Sequence, residues 1–267
     1  MIKIIVSGAM GRMGQAILEC SLKDTEIKIE GAIEKKEHPS MGKPLTSPAD
    51  IQELNIILKD SLRGFKDDCV LIEFSSPSAT IQHLREAVNL KIPMVIGTTG
   101  LSKEQDDEIS ESSIKIPIVY APNMSVGVNL LFKLTEIAAK VLQENYDIEI
   151  WETHHRYKKD APSGTARKLA QIIAKELNIS YDKDVRYGRV GITGDRPPRE
   201  IGIHCLRAGD IVGEHTVLFA TLGERIEFTH RAHSRATFAL GALKAAKFIS
   251  LASRKLYSMM DVLGLSD

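Results

Sequence analysis

Apolar residues recur along the first half of the chain in short runs that alternate with amphipathic segments. Buried strands are predicted at residues 2–7, 27–33, 69–74, 92–96 and 114–120. Helices are predicted from the turn at 8–14 to about residue 23, at 78–90, and from 102 to about 112. Residues 35–66 are less regular and are interpreted as a loop with short elements. This alternation predicts an α/β fold with a Rossmann-like, doubly wound parallel sheet.

The pattern changes near residue 125, where Ser125 is predicted to begin a long helix that ends at about Glu144. Its apolar face is predicted to include Leu130, Leu131, Leu134, Ile137, Ala138 and Val141. A strand at 146–152, a helix at 164–177 and three alternating segments follow, at 200–207, 211–220 and 224–233. Tight glycine turns between these segments predict an antiparallel meander. The second half is therefore an α+β domain with a mostly antiparallel open sheet.

These patterns predict two domains, the first at residues 1–124 and the second at 125–235. Residues 236–256 are predicted to form a final helix. The pattern alone leaves open on which domain this helix packs.

The loops that follow the predicted parallel strands would meet at the sheet edge where α/β proteins bind ligands. The first of them, Gly8-Ala-Met-Gly-Arg-Met-Gly14, is similar to a dinucleotide-binding loop, although its first glycine is displaced by one residue. A tight turn without a ligand is the structural alternative. Glu34 ends the second strand, about twenty residues further on, where a carboxylate can bind the adenosine ribose. Lys35 and Lys36 follow it, so binding of the 2′-phosphate of NADP is open beside NAD.

Residues 152–166, E-T-H-H-R-Y-K-K-D-A-P-S-G-T-A, hold two histidines, a lysine and a helix start within one short segment. Histidine moves protons near neutral pH, and lysine supplies a positive charge or a proton. A helix N-terminus binds anions through its amides. His154, His155, Lys158 and the Ser163-Gly-Thr165 start therefore predict a site for a small anion that must be protonated. A surface histidine pair and a simple N-cap are the alternatives.

Several polar residues later in the chain receive no firm role from the sequence. They are Arg207, His215, His230, His233 and Arg235.

Composition narrows the possible functions. The 35 basic residues balance the 35 acidic ones, which argues against nucleic acid or an anionic membrane as the main partner. The three cysteines are far apart and are predicted to be buried or partly buried thiols. No apolar run has the length of a membrane span or a signal sequence, so a cytoplasmic protein is expected. No third ligand accompanies the histidine pair, so no metal is expected.

The segment 154–166, H-H-x-x-K-x-D-A-P-S-G-T-A, resembles the 4-hydroxy-tetrahydrodipicolinate reductase (dihydrodipicolinate reductase) family of lysine and diaminopimelate biosynthesis. Supporting segments stand in the family order at 8–13, 97–99, 121–124 and 207–215. Two positions depart from the family pattern. Glu73 stands where the family more often has aspartate, and Lys35 stands where it often has arginine.

The resemblance implies an NAD(P)H-dependent reductase whose cofactor, NADH and/or NADPH, delivers hydride to ring C4. His154 would provide the proton and Lys158 would be a second proton donor. The substrate would be bound by His155, Gly164 and Thr165. The pyrophosphate would be bound by Gly8, Ala9, Met10, Gly11, Arg12 and Met13, and the ribose by Glu34 and Lys35. The nicotinamide half would be contacted by Gly97, Thr98, Thr99, Ala121, Pro122, Asn123 and Met124.

The resemblance also implies a homotetramer built through the sheet of the second domain. Residues 236–267 would join the cofactor domain.

Two rival functions predict other sequence features. An acylating semialdehyde dehydrogenase needs a cysteine nucleophile in an exposed turn, whereas Cys69 and Cys205 are predicted within strands and Cys20 within a helix. A redox-sensing regulator that binds NAD(H) would usually carry a DNA-binding module or a basic face, and would not need a His-His-Lys anion site.

Overall fold

The structure is a computed structural model that describes residues 1–46 and 53–266. The chain divides into two compact units. Unit 1 comprises Met1–Val126 together with Arg235–Asp267, and unit 2 comprises Gly127–Ser234. Unit 2 is therefore an insertion in the sequence of unit 1. Among the described helices, none combines the length and the apolar character that a membrane crossing requires.

The described strands, in chain order, are β1 (Ile2–Ser7), β2 (Ile27–Ile33), β3 (Pro44–Thr46), β4 (Glu53–Lys59), β5 (Cys69–Glu73), β6 (Met94–Ile96), β7 (Ile118–Tyr120), β8 (Asp147–His154), β9 (Val185–Tyr187), β10 (Ile201–Arg207), β11 (Gly213–Thr221), β12 (Glu224–Ala232) and β13 (Leu256–Tyr257). The described α-helices are α1 (Arg12–Leu22), α2 (Pro77–Leu90), α3 (Lys103–Ser112), α4 (Val126–Leu142), α5 (Gly164–Glu176), α6 (Tyr181–Asp184), α7 (Ala236–Ile249) and α8 (Met259–Leu263). A 3-10 turn, Gln143–Asn145, follows α4.

Unit 1 contains a sheet with the strand order β13-β7-β6-β5-β1-β2-β4-β3. All its neighbours pair in parallel except β3 and β4. Consecutive residues of β1 face opposite sides, since Ile4 and Val6 pack in one hydrophobic cluster with α1 and α7, whereas Ile5 packs in another with α2 and α3. The predicted Rossmann-like sheet is confirmed, with helices covering both faces.

Local sequence signals place several helix ends of unit 1. Ser76 caps α2 by accepting a hydrogen bond from Ala79, and Pro77 takes the first helical position. Ser102 and Gln105 form a capping box at α3. These residues fix the helix starts at the side of the sheet where β5 and β6 end.

Unit 2 contains a sheet with the strand order β12-β11-β8-β10-β9. Strands β11 and β12 form the predicted antiparallel hairpin, and β11 also pairs antiparallel with β8. The predicted meander is wrong at its first segment, because β10 pairs in parallel with β8 and β9 instead of with β11. Alternation along β10 shows that it is half-buried, but it does not encode which strand lies beside it.

The predicted final helix at 236–256 is too long. Helix α7 ends at Ile249, and Leu256 and Tyr257 instead pair with Ile118 and Val119 of β7. This parallel pairing joins residues far apart in sequence, so periodicity could not reveal it. Two strands, β3 and β4, also lie in the region predicted as a loop, and residues 47–52 of that region are outside the described part of the chain.

Two burial predictions also fail in part. On α4, Leu131 and Ala138 are buried as expected, whereas Leu130, Leu134, Ile137 and Val141 are exposed. The helix is apolar on more than one side, so its pattern does not identify the packed side. Cys205 is exposed near the end of β10, although Cys69 is buried and Cys20 is half-buried.

Candidate functional site

The carboxyl ends of five parallel strands define one edge of the unit 1 sheet. The loops predicted at this edge lie at residues 8–14, 34–36, 75–77, 97–100 and 121–124, which follow these strand ends. The fold therefore brings all five segments to the same edge, as strand order in the sequence alone implied.

The glycines of the first loop are required by close packing. Gly8 has a φ of 70°, which favours glycine, and a Cβ there would overlap the carbonyl oxygen of Phe74. A Cβ at Gly14 would overlap the carbonyl oxygen of Gly8. Gly11 and Arg12 are exposed at the start of α1. The loop thus presents backbone at a helix N-terminus, which fits a pyrophosphate.

Glu34 lies against this loop. Its Oε2 accepts a hydrogen bond from the Met10 amide at 3.1 Å, and its Oε1 accepts one from the Lys35 amide at 3.0 Å. Each carboxylate oxygen retains a further lone pair. Lys35 is exposed beside it. The pair therefore fits a ribose whose 2′ position is either a hydroxyl or a phosphate.

The predicted nicotinamide contacts differ in how accessible their side chains are. Thr99 and Pro122 are exposed, whereas Thr98 is buried and its Oγ1 lies 2.8 Å from Oγ1 of Thr80. Asn123 accepts a hydrogen bond from the Ser125 amide at 2.9 Å. Gly97 packs so closely on Phe74 that a Cβ would overlap the ring. Residues 97 and 98 can therefore offer a ligand only their backbone.

A buried glutamate–histidine pair lies beneath these loops. Glu73 is fully buried, and its Oε2 lies 2.7 Å from Nδ1 of His83. Its Oε1 accepts hydrogen bonds from Ser7 and Ser75. Burial by itself would lower the pKa of His83, but the hydrogen bond to Glu73 together with the negative charges of Glu73 and Glu86 outweighs burial and raises the pKa above 6.5. The pair joins the ends of β1 and β5 to α2.

In unit 2, strand β8 ends at His154, whose Nδ1 lies 2.5 Å from Oε2 of the fully buried Glu152. The two residues share a face because they are two apart on a strand. Arg207, the register partner of His154 on β10, donates two hydrogen bonds to Glu152, at 2.8 and 2.9 Å. Burial by itself would raise the pKa of Glu152, but these hydrogen bonds lower it to about 2. The carboxylate is therefore ionised at neutral pH.

Helix α5 begins at the same carboxylate. The Ser163 amide donates to Oε1 of Glu152 at 3.1 Å, and the Ser163 hydroxyl accepts from the Ala166 amide as the N-cap. Nε2 of the buried His215 lies 3.0 Å from the same hydroxyl. A Cβ at Gly164 would meet nothing within 4 Å, so this glycine leaves open space at the helix start.

His215 also borders His154, with a ring-centroid distance of 5.1 Å in an edge-to-face arrangement. Burial, followed by the positive charge of His154, lowers the pKa of His215 to about 3. His215 is therefore neutral at physiological pH. A Cβ at Gly213 would lie 3.1 Å from Nε2 of His154, so glycine there keeps that nitrogen accessible.

Lys158 is tied to the same network. Its Nζ donates to Asp160 at 2.8 Å, and Arg207 donates to the Asp160 carbonyl oxygen at 2.6 Å. His155 lies near Tyr157, with ring centroids 6.4 Å apart, and its buried Nδ1 has no hydrogen-bond partner in the described part of the chain. Hydrogen bonds thus connect Lys158 to His154 through Asp160, Arg207 and Glu152. Among the described residues, no such chain of hydrogen bonds joins Nδ1 of His155 to this network.

Three residues of this network received no role from the sequence: Glu152, Arg207 and His215. Spacing alone could have found Glu152, because it precedes His154 by two residues on one strand. Arg207 and His215 become neighbours only through the register of β8 with β10 and β11. Within residues 1–46 and 53–266, no group of three His, Cys, Asp or Glu side chains is arranged to hold a metal ion.

The chain is similar to known proteins in family, in sequence and in structure. A family model described as dihydrodipicolinate reductase, N-terminus, matches residues 2–124, and its C-terminus counterpart matches residues 127–263. The 4-hydroxy-tetrahydrodipicolinate reductase of Syntrophus aciditrophicus (strain SB) is 47% identical over 266 residues, which cover 99% of each chain.

Among solved structures, dipicolinate-bound dihydrodipicolinate reductase from Paenisporosarcina sp. TG-14 matches with a TM-score of 0.77 and 22% identity, over 98% of each chain. Aspartate semialdehyde dehydrogenase II from Vibrio cholerae, complexed with ASA, matches with a TM-score of 0.56 and 11% identity, over 92% of this chain and 97% of that one. Both likenesses are of fold alone. The family and sequence matches confirm the resemblance predicted from the sequence, and the chain belongs to the dihydrodipicolinate reductase family.

Proposed function

We propose that this protein reduces 4-hydroxy-tetrahydrodipicolinate to tetrahydrodipicolinate with NADH or NADPH, in lysine and diaminopimelate biosynthesis. Family membership over both halves of the chain supports this activity. The observation that carries it is the hydrogen bond between His154 Nδ1 and the ionised Glu152, beside a helix start that leaves Gly164 open.

The cofactor is held by unit 1 in this proposal. The loop from Gly8 to Met13 binds the pyrophosphate through its backbone and the N-terminus of α1, and Glu34 accepts hydrogen bonds from the ribose. Residues 97–99 and 121–124 border the nicotinamide half. When bound, the reduced nicotinamide supplies the hydride that ring C4 of the substrate receives.

His154 supplies the proton. Because Glu152 is ionised and can only accept, Nδ1 of His154 carries a hydrogen, and Nε2 is the nitrogen that exchanges a proton with the substrate. Gly213 leaves room beside Nε2. Lys158 adds positive charge and a second proton source.

The substrate class is a cyclic imine that carries two carboxylates. One carboxylate binds at the start of α5, where Gly164 presents backbone without a side chain and the helix dipole favours negative charge. Thr165 and His155 bind beside it in this proposal. The positive charges of Lys158 and Arg207 add to the attraction for a dianion.

We propose that both dinucleotides are used. Glu34 accepts hydrogen bonds from a free 2′-hydroxyl, as in NADH, and the exposed Lys35 offers a cation to the 2′-phosphate of NADPH.

We further propose a homotetramer formed through the unit 2 sheet. Helix α5 packs against β8 and β11 on the face that carries Ile148 and Ile150. The opposite face carries Trp151, half-buried, and Leu206, which is 48% exposed. Light scattering on wild-type protein and on Leu206→Asp tests this, since a monomeric wild-type protein contradicts it.

The activity is tested by following NADH and NADPH oxidation with the condensation product of pyruvate and aspartate semialdehyde as substrate. Oxidation that depends on both reactants is expected with either dinucleotide. Absence of oxidation with both would remove the proposed function.

A further inference from the structure

We propose that Glu152 is a positioning residue that couples the proton donor to the anion-binding helix start. In this proposal it selects the nitrogen of His154 that exchanges protons and holds the first turn of α5 beside it. The inference rests on the proposed function and extends it to a residue outside the expected site.

Glu152 is the common acceptor of four hydrogen bonds. Oε2 of Glu152 lies 2.5 Å from His154 Nδ1 and 2.8 Å from an Arg207 nitrogen. Oε1 accepts from the other Arg207 nitrogen at 2.9 Å and from the Ser163 amide at 3.1 Å. An ionised carboxylate has about four acceptor sites. Four donors therefore fill them, and each donor is fixed relative to the others through one buried group.

Arg207 keeps Glu152 paired with a cation when His154 loses its proton. A proton donor loses its charge in each turnover, and a buried carboxylate left without a cation is destabilising. Arg207 stays charged and keeps two hydrogen bonds to Glu152 whatever the state of His154. The imidazole can therefore release and regain its proton without leaving Glu152 unpaired. This arrangement suits an imidazole that alternates between its protonated and neutral forms in each turnover.

Glu152 also holds the start of α5 through the amide of Ser163. Ser163 is fixed at its amide by Glu152 and at its hydroxyl by His215 and Ala166. Gly164 is the next residue, so the position of its amide depends on that of Ser163. A change at Glu152 should therefore disturb both proton transfer and dianion binding.

The surroundings of His154 contain further titratable groups. They are Cys205 on β10, His215 on β11, His230 on β12, and Lys158 and Asp160 in the following loop. Although Cys205 is an exposed residue, partial desolvation of its thiol and the charge of Glu152 raise its pKa to about 11, and burial lowers the pKa values of His215 and His230. These three are uncharged at neutral pH. Glu152, Arg207, Lys158 and Asp160 therefore supply the charge around the imidazole.

The test compares Glu152→Gln with a matched variant, Glu149→Gln. Glu149 lies on the same strand and the other face of the sheet, with His204 at 2.7 Å and Arg189 at 2.6 Å, and its own hydrogen bonds lower its pKa to about 2 against the effect of burial. Both substitutions remove one partly or fully buried negative charge and keep the side-chain shape. Glu149 has no contact with the network of His154 and Ser163 among the described residues.

For Glu152→Gln, kcat should fall by about 10²-fold or more, as for other imidazoles that lose an orienting carboxylate. The high-pH limb of the kcat/KM profile should move to lower pH, because the negative charge that favours protonated imidazole is gone. The Kd for pyridine-2,6-dicarboxylate should rise, and Glu149→Gln should change none of these. Glu152→Asp should recover part of kcat, since it restores the charge at a shorter reach.

Nitrogen NMR of ¹⁵N-histidine protein supplies a readout that does not need turnover. Wild-type His154 should be in the Nδ1–H form when neutral, and Glu152→Gln should populate the other tautomer. NADH affinity reports only on unit 1, so circular dichroism and thermal unfolding of each variant report whether unit 2, which contains both substitutions, is folded. If Glu152→Gln does not fold, Glu152→Asp and the wild-type tautomer still decide the question.

Three results would overturn the proposal: an unchanged pH profile and kcat in Glu152→Gln, an equal loss in Glu149→Gln, or a wild-type His154 protonated at Nε2 in its neutral form. Failure of the proposed function would give a different result from failure of the role of Glu152. Wild-type protein would then oxidise neither dinucleotide, while the tautomer and the diacid affinity could still follow Glu152.

Discussion

Each unit contains a fully buried glutamate that binds the Nδ1 of a histidine. In unit 1, Glu73 binds His83 at 2.7 Å, and in unit 2, Glu152 binds His154 at 2.5 Å. The two pairs differ in their remaining partners. Glu73 is bonded to serines, whereas Glu152 is bonded to Arg207.

This difference separates a pair that supports the fold from a pair that can take part in chemistry. In the described part of the chain, His83 is the only cationic partner that Glu73 has in a hydrogen bond or ion pair. Loss of the His83 proton therefore leaves a buried charge uncompensated. Arg207 removes that constraint from His154. We therefore expect the same two side chains to have different roles because of a third residue.

The largest expected effect is on turnover. His154→Ala and Lys158→Ala should each lower kcat by about 10²–10⁴-fold, because each removes a proposed proton donor. NADH affinity should be unchanged, since neither residue belongs to unit 1. Steady-state kinetics and dinucleotide titration measure both. Lys159→Ala is the matched control for the lysine, and near-normal turnover in both variants would disprove the assigned roles.

The next effect is on stability. His83→Leu should lower the free energy of unfolding by about 3–5 kcal/mol, because it leaves Glu73 buried and unpaired. His154→Ala should lower it far less, because Arg207 still binds Glu152. Denaturant unfolding of the two variants compares them directly. Equal losses would mean that Arg207 does not compensate Glu152.

The two pairs also predict opposite pH dependence. The pKa of His83 is raised in the folded state, so its contribution is complete below the ordinary value of 6.5 and is lost as pH rises through the folded value. The pKa of Glu152 is lowered from 4.5 to about 2, so its contribution is complete above 4.5 and is lost as pH falls toward 2. Within each window, the opening equilibrium changes by up to about tenfold per pH unit for one proton.

Hydrogen exchange can measure these two trends separately. Amides of β1 and β5 should lose protection on the alkaline side, and amides of β8 on the acid side. The same trend in both sets of strands would contradict the comparison.

A smaller effect concerns the helix start. Gly164→Ala should raise the Kd for pyridine-2,6-dicarboxylate by roughly tenfold, the loss expected when one hydrogen bond to a charged group is weakened. Stability should not fall, because the new Cβ meets no atom within 4 Å and alanine favours a helix. Calorimetric titration and thermal unfolding measure the two quantities. Unchanged diacid affinity would place the anion elsewhere.

The smallest effect is expected at the rim of unit 1. Lys35→Ala should raise the KM for NADPH by about threefold and leave the KM for NADH unchanged, because an exposed ion pair is weak. Lys36→Ala serves as the neighbouring control. Equal changes for both dinucleotides would show that Lys35 does not bind the 2′-phosphate.

The sequence was sufficient for the features that depend on local order. Strand–helix alternation predicted the parallel sheet, and motif spacing identified the family and the segment that contains His154 and Lys158. Pairing between distant strands was not encoded locally. For that reason the sequence predicts helix at the start of β13, predicts a meander that includes β10, and assigns no role to Arg207. Thr98 shows the same limit at a single residue, because its burial against Thr80 depends on tertiary packing.

The insertion of unit 2 between Val126 and Arg235 has a consequence for synthesis on the ribosome. Ala242 and Leu243 of α7 pack in the same cluster as Ile4 and Val6 of β1. Helix α1 can cover part of this side early, but the ribosome must finish the inserted unit before α7 can complete the cover, a delay on the order of ten seconds at typical elongation rates. During this interval the part of the β1 surface that α7 will cover stays exposed.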